Sequence, residues 1–208
     1  KTEYLYKWSM EIPATHMIVT GIPRNDFRHL KVIENDRALK CGGGVLVYKN
    51  EEDRLKKGVR LICEKYKPES VLEIGFGLGY TASEFQKCGV KYHTIIEAHT
   101  VIYKNAVEWR SQHSDKYIRI IEGFFQDYKT DEKFDVVYDD RKDLVYEDDE
   151  FAGAKSPLRK WLKSFCNEGG IVAGYARDPK FLQSLSFDNG FFFNLNGKKY
   201  RQPLMVNK

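Results

Sequence analysis

The stretch Glu-Ser-Val-Leu-Glu-Ile-Gly-Phe-Gly-Leu-Gly-Tyr-Thr-Ala, residues 69–82, decides the fold of this chain. Its apolar run, with Val71, Leu72 and Ile74, predicts a buried strand, and the alternate glycines after it predict a tight turn. A helical pattern resumes at Tyr80. This loop can approach a ligand closely, because glycine carries no Cβ and the first N–H groups of a helix are unpaired.

The spacing of the glycines favours a cationic ligand over a pyrophosphate. The dinucleotide fingerprint is G-x-G-x-x-G, whereas Gly75, Gly77 and Gly79 form G-x-G-x-G. Glu73 precedes the loop, and a carboxylate there would repel a pyrophosphate but accept hydrogen bonds from an ammonium group. We therefore expect Glu73, Phe76 and the three glycines to contact a ligand that carries a positive charge.

Length and composition predict one soluble domain with a small appendage. The chain has 208 residues, of which 42% are apolar, enough for one sizeable core. No window approaches the roughly 18 apolar residues of a membrane span, and no leader pattern opens the sequence. The four cysteines are widely spaced without a histidine cluster, which favours a reduced compartment over disulfides or a zinc site. We expect a cytoplasmic protein with no membrane contact and no metal.

The charge distribution does not indicate nucleic acid binding. The net charge is only +4, although residues 139–150 contain seven acids against two basic residues and residues 151–208 contain ten Lys or Arg against three acids. We interpret the basic tail as solvated surface.

The rest of the chain alternates between helix and strand patterns, which is typical of an α/β fold with parallel strands. Asn196-Gly197 between two apolar runs predicts a closing hairpin. Gly169-Gly170 is expected to form a turn before the fifth strand. Apolar spacing predicts helices over 51–66, 80–88, 101–112 and 156–166, and strands over 92–97, 118–121, 134–139, 171–175, 191–195 and 200–206.

Residues 1–50 show no sustained helical or strand period. We expect an N-terminal arm over these residues and the ligand-binding domain over residues 51–208. Two interpretations of the arm stay open: a lid over the site, or an extension that covers a sheet edge or mediates a dimer contact.

These patterns resemble the class I S-adenosylmethionine-dependent methyltransferases, whose first motif has the form E/D-x-G-x-G-x-G. Within that superfamily the closest likeness is to guanidinoacetate N-methyltransferase and its arginine methyltransferase relatives. Four blocks carry this resemblance in the family's order: residues 71–77, 93–97, 123–127 and 134–139. The resemblance implies a Rossmann-like sheet of seven strands, mostly parallel with an antiparallel C-terminal strand, and S-adenosyl-L-methionine as the cofactor.

The resemblance also implies where the cofactor binds. In the family the glycine loop lies against the methionine part of the cofactor. Its adenine pocket follows the third strand, here at Gly123, Phe124 and Phe125, with Gln126 or Asp127 reading the amino edge of the base.

Two further acidic positions predict functional contacts. Glu97 ends the second strand 22 residues after Gly75, where an acid can accept both ribose hydroxyls, and Ala98 lies beside it. Asp139 ends the fourth strand at the ligand-binding edge of such a sheet. We expect Asp139 to contact the cofactor region, orient the acceptor nitrogen and handle its proton, with Asp140 as the alternative catalytic carboxylate.

The substrate-binding arm departs from the family pattern. In that family a tryptophan-glutamate pair upstream of the first strand grips the guanidinium, whereas Lys49 occupies the acid's place here. Either Glu51 or Glu52 takes over that role, or Lys49 favours a substrate with a carboxylate or phosphate.

The leading hypothesis is a methyltransferase acting on a nitrogen, less readily an oxygen, of a small polar metabolite, with nucleic acid disfavoured and a homodimer left open. One alternative is an aminopropyltransferase resembling spermidine synthase, with Asp139, Asp140 and Asp143 binding a polyamine. Another is a non-catalytic relative that binds the cofactor or a protein partner.

Overall fold

The computed structural model describes residues 24–42, 44–113, 117–141, 157–174 and 189–207. The helices are α1 (Arg24–Phe27), α2 (Glu52–Tyr66), α3 (Tyr80–Lys87), α4 (Thr100–Ser111) and α5 (Pro157–Ser164). The strands are β1 (Val32–Glu34), β2 (Ala38–Cys41), β3 (Gly44–Tyr48), β4 (Ser70–Ile74), β5 (Tyr92–Glu97), β6 (Tyr117–Glu122), β7 (Phe134–Asp139), β8 (Cys166–Gly174), β9 (Asn189–Leu195) and β10 (Lys198–Val206). Two 3-10 turns lie at Lys49–Glu51 and Phe125–Asp127.

The central sheet has seven strands in the order β6-β5-β4-β7-β8-β10-β9. The first five are parallel to one another, and β10 is antiparallel to both β8 and β9. The predicted Rossmann-like fold with its antiparallel C-terminal strand is confirmed. The strand order reverses between β4 and β7, so the carboxyl ends of these strands flank a crevice in which ligands of such sheets bind.

Helices cover both faces of this sheet. On one face, Val59 and Ile62 of α2 and Phe85 of α3 pack with Val71 and Tyr138, and α4 packs alongside through Ile102. On the other face, α5 packs through Leu162 against the apolar side chains of β4 and β7. Burying each large apolar side chain contributes about 1.5–3 kcal/mol, so the buried strands are held from both sides. None of the helices in the described part of the chain combines the length and apolar composition that a membrane span requires.

The end of α2 and the connection between β9 and β10 both use left-handed backbone conformations. Lys67 adopts a left-handed backbone (φ +47°) and ends α2 immediately before Pro68. Asn196 (φ +51°) and Gly197 (φ +75°) connect β9 and β10, as expected for the two-residue turn of a hairpin.

The expected turn at Gly169-Gly170 was wrong, because both glycines lie inside β8, which begins at Cys166 and not at residue 171. The Gly169 N–H donates to the Asn207 carbonyl, and the Asn207 N–H donates to the Gly170 carbonyl, both at 2.8 Å. A Cβ on Gly170 would come within 2.8 Å of the Asp135 carbonyl oxygen. The glycines therefore allow close pairing at this point instead of ending the strand.

The arm contains a sheet that the sequence pattern did not predict. Strands β1, β2 and β3 pair antiparallel in that order, and each has only three to five residues, too few for alternation to be recognised. Leu39 and Val47 of this sheet join a hydrophobic cluster with Phe76 and Trp109, so the sheet packs against the glycine loop. Residues 1–23 lie outside the described residues, and the division at residue 50 stays a prediction.

Candidate functional site

A cavity opens at the carboxyl ends of β4, β5 and β7. Its largely apolar wall with a few polar groups is typical of a small-molecule site. The arm contributes Phe27, Leu46 and Val47 to the wall. Of the residues predicted from the sequence, the cavity is lined by Gly75, Gly77, Glu97, Ala98, Gly123, Phe124, Phe125, Gln126 and Asp140.

The three loop glycines all adopt left-handed backbone conformations, with φ values of +90°, +55° and +70° for Gly75, Gly77 and Gly79. A Cβ on Gly77 would lie 2.8 Å from Cγ2 of Val47, and a Cβ on Gly79 would lie 2.6 Å from Cζ of Phe76. The backbone conformation therefore favours glycine at all three positions, and close packing adds to this at Gly77 and Gly79.

We predict that Gly79→Ala destabilises the protein more than Gly89→Ala does. Gly89 also has a positive φ (+86°), but nothing lies within 4 Å of the position that its Cβ would take. Gly89→Ala should therefore lower the free energy of unfolding by about 1–2 kcal/mol, from backbone strain alone. Gly79→Ala should lower it by about 2–4 kcal/mol, because the buried Phe76 ring must also move. Urea unfolding measures both changes, and equal costs would contradict the packing argument.

Glu97 is buried at the end of β5 and joins the glycine loop to the cavity. Its Oε2 accepts a hydrogen bond from the Phe76 N–H (2.9 Å), and its Oε1 accepts one from the His99 N–H (2.8 Å). Burial raises the pKa of the Glu97 carboxyl, and these backbone donors partly offset the rise. The Ala98 and Gly77 N–H groups contribute to the same offset, so the backbone holds this carboxylate on the cavity wall.

Three of the predicted ligand contacts within residues 73–79 lie outside the set of residues that line the cavity, as Asp139 also does. The carboxylate of Glu73 is fully buried, with Oε1 accepting from the Thr81 hydroxyl and Oε2 lying 2.9 Å from Nε2 of His93. The Phe76 ring packs against Trp109, so only its backbone points toward the site. Gly79 caps the start of α3. Direct contacts of these three residues with a ligand stay predictions.

The segment after β6 supplies aromatic walls and one unpaired acceptor. Phe124 packs beside Phe27 of the arm, and Phe125 packs beside Trp161 of α5. Gln126, and not Asp127, lines the cavity. Its Oε1 is buried and has no hydrogen-bond partner among the described residues, which marks it as an acceptor for a ligand donor.

The two candidate catalytic carboxylates have different surroundings. Asp139 is buried and accepts hydrogen bonds from Nε (2.6 Å) and Nη2 (2.5 Å) of Arg141, whose guanidinium lies 3.9 Å from the centre of the Phe125 ring. Asp140 lies on the cavity wall, with Oδ2 3.0 Å from Oγ1 of Thr81. Burial, and then the Glu73 charge, raise the pKa of Asp140 well above its usual range. The contacts favour Asp140 over Asp139 as the carboxylate that meets a ligand.

The sequence patterns did not identify Thr81 and Arg141 as residues of this site. The ion pair between Arg141 and Asp139 could have been predicted, because a cation two residues after a strand-terminal acid can fold back onto it. For Thr81, the sequence offered only its position in the first turn of α3. Asp143 lies outside the described residues.

The three charged residues considered for substrate binding, Lys49, Glu51 and Glu52, make different contacts. Lys49 pairs with Glu34 at 2.7 Å, and Glu52 pairs with Lys56. Glu51 pairs with Arg54 at 2.6 Å, and its charge contributes to the raised pKa of Asp140.

Comparison with known proteins agrees with this architecture. The crystal structure of a ribosomal protein L11 methylase from Lactobacillus delbrueckii subsp. bulgaricus aligns with a TM-score of 0.55 and 20% identity, covering 78% of this chain and 82% of that one. An S-adenosylmethionine-dependent methyltransferase from Thiobacillus denitrificans, solved with S-adenosyl-L-homocysteine, aligns with a TM-score of 0.44 and 18% identity over 67% of this chain and 50% of that one. The first alignment supports the fold.

Sequence comparison is more specific. Protein arginine N-methyltransferase 2 of Cryptococcus neoformans is 39% identical over 64 residues, which are 30% of this chain and 17% of that protein. The chain thus matches less than a fifth of the length of this curated relative. The family model described as guanidinoacetate N-methyltransferase matches residues 34–173, which include strands β2 and β3 of the arm sheet, the glycine loop and strands β4 to β7. The chain belongs to the guanidinoacetate N-methyltransferase family.

Proposed function

We propose that this protein is an S-adenosylmethionine-dependent methyltransferase that transfers a methyl group to a nitrogen of a small polar acceptor. The observation that carries the proposal is the position of Glu97. Its carboxylate is tied to the glycine loop through the Phe76 N–H and also opens on the cavity, where it can bind a sugar. Family membership supports the same activity.

The residues of the cavity fit a nucleoside cofactor. The two oxygens of Glu97 can accept the ribose hydroxyls, and the unpaired Oε1 of Gln126 can accept an amino N–H of the base. Phe124 and Phe125 offer flat apolar surfaces for the ring. When bound, S-adenosylmethionine supplies an electrophilic methyl group on a sulfonium centre.

The polar wall suits an acceptor nitrogen that carries protons. Asp140 can orient an N–H group by hydrogen bonding and accept its proton as the new bond forms. The Asp139–Arg141 ion pair is adjacent to Asp140 in sequence, and the charge of Glu51 contributes to the raised pKa of Asp140. Since Lys49 is engaged by Glu34, the carboxylate-binding or phosphate-binding role considered for Lys49 has less support than a nitrogen acceptor. The family description and the arginine methyltransferase relative support a guanidino nitrogen first.

Calorimetry followed by mass analysis tests this function. We expect S-adenosylhomocysteine to bind, and we expect a methyl group to appear on guanidinoacetate or on an arginine-containing peptide when each is incubated with S-adenosylmethionine. Transfer of an aminopropyl group from decarboxylated S-adenosylmethionine would instead favour the synthase alternative. A folded protein that binds no nucleoside would overturn the proposal and favour an interaction protein.

Binding of S-adenosylhomocysteine also tests the role of the arm. Phe27, Leu46 and Val47 line the cavity, which supports the proposal that the arm acts as a lid. Backbone hydrogen exchange in β2 and β3 should then slow when S-adenosylhomocysteine binds, and unchanged exchange would argue for a role at an edge or interface.

A further inference from the structure

A continuous chain of buried polar groups runs from the cavity wall into the core, behind the glycine loop. Oδ2 of Asp140 lies 3.0 Å from Oγ1 of Thr81, which contacts Oε1 of Glu73. Oε2 of Glu73 lies 2.9 Å from Nε2 of His93, whose Nδ1 lies 3.0 Å from Nε2 of Gln86. Thr81 and Glu73 are 0% exposed and His93 is 1% exposed, so water does not complete these bonds.

The Thr81 hydroxyl limits how protons are arranged in this chain. A hydroxyl has one hydrogen to donate, yet Thr81 lies between two carboxyl groups that are acceptors when ionised. If Glu73 and Asp140 were both ionised, one of the two contacts would bring acceptors together without a proton. One carboxyl group must therefore carry a proton and donate it to Oγ1.

His93 holds the second oxygen of Glu73. Its Nε2 lies 2.9 Å from Oε2 of Glu73, and its Nδ1 lies 3.0 Å from the amide nitrogen of Gln86. With the ring proton on Nε2, Glu73 receives donors on both oxygens, whereas Oδ2 of Asp140 meets the Thr81 oxygen. This arrangement favours Asp140 as the carboxyl group that carries the shared proton.

The charges around Asp140 agree with this assignment. Burial, and then the charge of Glu73, raise its pKa, with smaller contributions of the same sign from Asp139 and Glu51. Arg141, the residue after Asp140, is bound to Asp139.

We propose that Asp140, Thr81 and Glu73 form a proton relay in which two carboxyl groups share one proton through the Thr81 hydroxyl. His93 acts as a positioning residue that holds Glu73. The use of this relay in catalysis rests on the proposed function. When a cationic acceptor enters, Asp140 gives its proton to Oγ1 and Thr81 gives its own proton to Glu73. Asp140 is then a carboxylate that can accept the proton from the acceptor nitrogen, and that proton leaves to solvent with the product.

Infrared spectroscopy of the protein without cofactor tests the shared proton independently of any activity. We expect a carboxylic acid C=O band near neutral pH that Asp140→Asn removes. Glu73→Gln removes the neighbouring charge, so the Asp140 pKa should fall and the band should disappear at lower pH than in the wild type. The relay is wrong if no such band depends on Asp140, or if Glu73→Gln leaves its titration unchanged.

Kinetics test whether the relay is used. Thr81→Val keeps the side-chain shape but removes the hydroxyl, which carries the proton and, once Asp140 is ionised, donates to it and so lowers its pKa. We expect turnover near neutral pH to fall about tenfold, with the KM for S-adenosylmethionine unchanged and the acid limb of the pH profile moved to higher pH. Thr81→Ser should restore both.

Thr94→Val is the matched control, because Thr94 is a buried threonine next to His93 on β5 but outside the relay. Its pH profile should match the wild type. A wild-type profile in Thr81→Val would overturn the relay even if methyl transfer occurs. If no methyl transfer is detected but the infrared band depends on Asp140 as expected, the proposed function is wrong and the shared proton is still supported.

Discussion

Glu97→Ala is expected to weaken the binding of S-adenosylhomocysteine by about 1–3 kcal/mol, a factor of about 5–150 in Kd. The change removes the acceptor for two ligand hydroxyls. It also removes the group that holds the Phe76 N–H, so the glycine loop loses one of its links to β5, while the Gly75 N–H still donates to the Ile96 carbonyl. Isothermal titration calorimetry on the folded variant measures the loss.

Glu122→Ala supplies the control for this experiment. Glu122 lies opposite Glu97 at the end of the neighbouring strand β6, where it binds the Thr100 hydroxyl outside the cavity. We expect its substitution to leave the affinity unchanged. Wild-type affinity in a folded Glu97→Ala protein would show that the ribose is held elsewhere.

The affinity should also depend on pH in a direction fixed by Glu97. Burial raises the pKa of this carboxyl in the folded protein without ligand, and hydroxyl donors from a bound ribose favour the ionised form. Binding should therefore lower the pKa and release protons, and the affinity should rise as pH increases through the raised pKa. Calorimetry in two buffers of different ionisation enthalpy detects the released protons, and Glu97→Ala should abolish that release.

Much of this site could be predicted because its parts are local in sequence. The strand, the three glycines and the helix start lie within residues 69–82, and the spacing from Gly75 to Glu97 reflects one strand-helix-strand unit. Each of these signals needs only a short window. The structure confirms the fold that they predicted, and Glu97 lies on the cavity wall.

The direction of each side chain could not be predicted in the same way. Successive residues of a strand point to opposite faces, so the surroundings of Glu73 depend on which helix covers its face. Here α3 places Thr81 against Glu73, which therefore faces the core. The arm sheet was missed for a related reason, since its short strands are held by packing on the loop and not by a repeating pattern.

The choice between Asp139 and Asp140 depends on the same geometry. Strand β7 ends at Asp139, so Asp139 keeps the strand's alternation, whereas the chain turns at Asp140 toward Thr81. Arg141 then folds back onto Asp139. A one-residue difference in where a strand ends is beyond what sequence periodicity can predict.

Asp140→Asn is accordingly expected to lower methyl transfer about a hundredfold or more, while S-adenosylhomocysteine binds with nearly unchanged affinity. An amide matches the shape of the carboxyl group but cannot accept the proton of the acceptor nitrogen, and the loss of a general base has about this magnitude. Single-turnover rates measured by mass analysis of the acceptor give the change, and calorimetry gives the affinity.

Asp139→Asn is the matched variant, because it removes the adjacent carboxylate and leaves Asp140 with Thr81. We expect a loss of less than about tenfold from the disturbed pairing with Arg141. The pH dependence adds a second distinction. Because burial and Glu73 raise the pKa of Asp140, turnover that uses its carboxylate should increase with pH through that pKa. This rise should persist in Asp139→Asn and vanish in Asp140→Asn; the reverse result would make Asp139 the base and require Arg141 to leave it during the reaction.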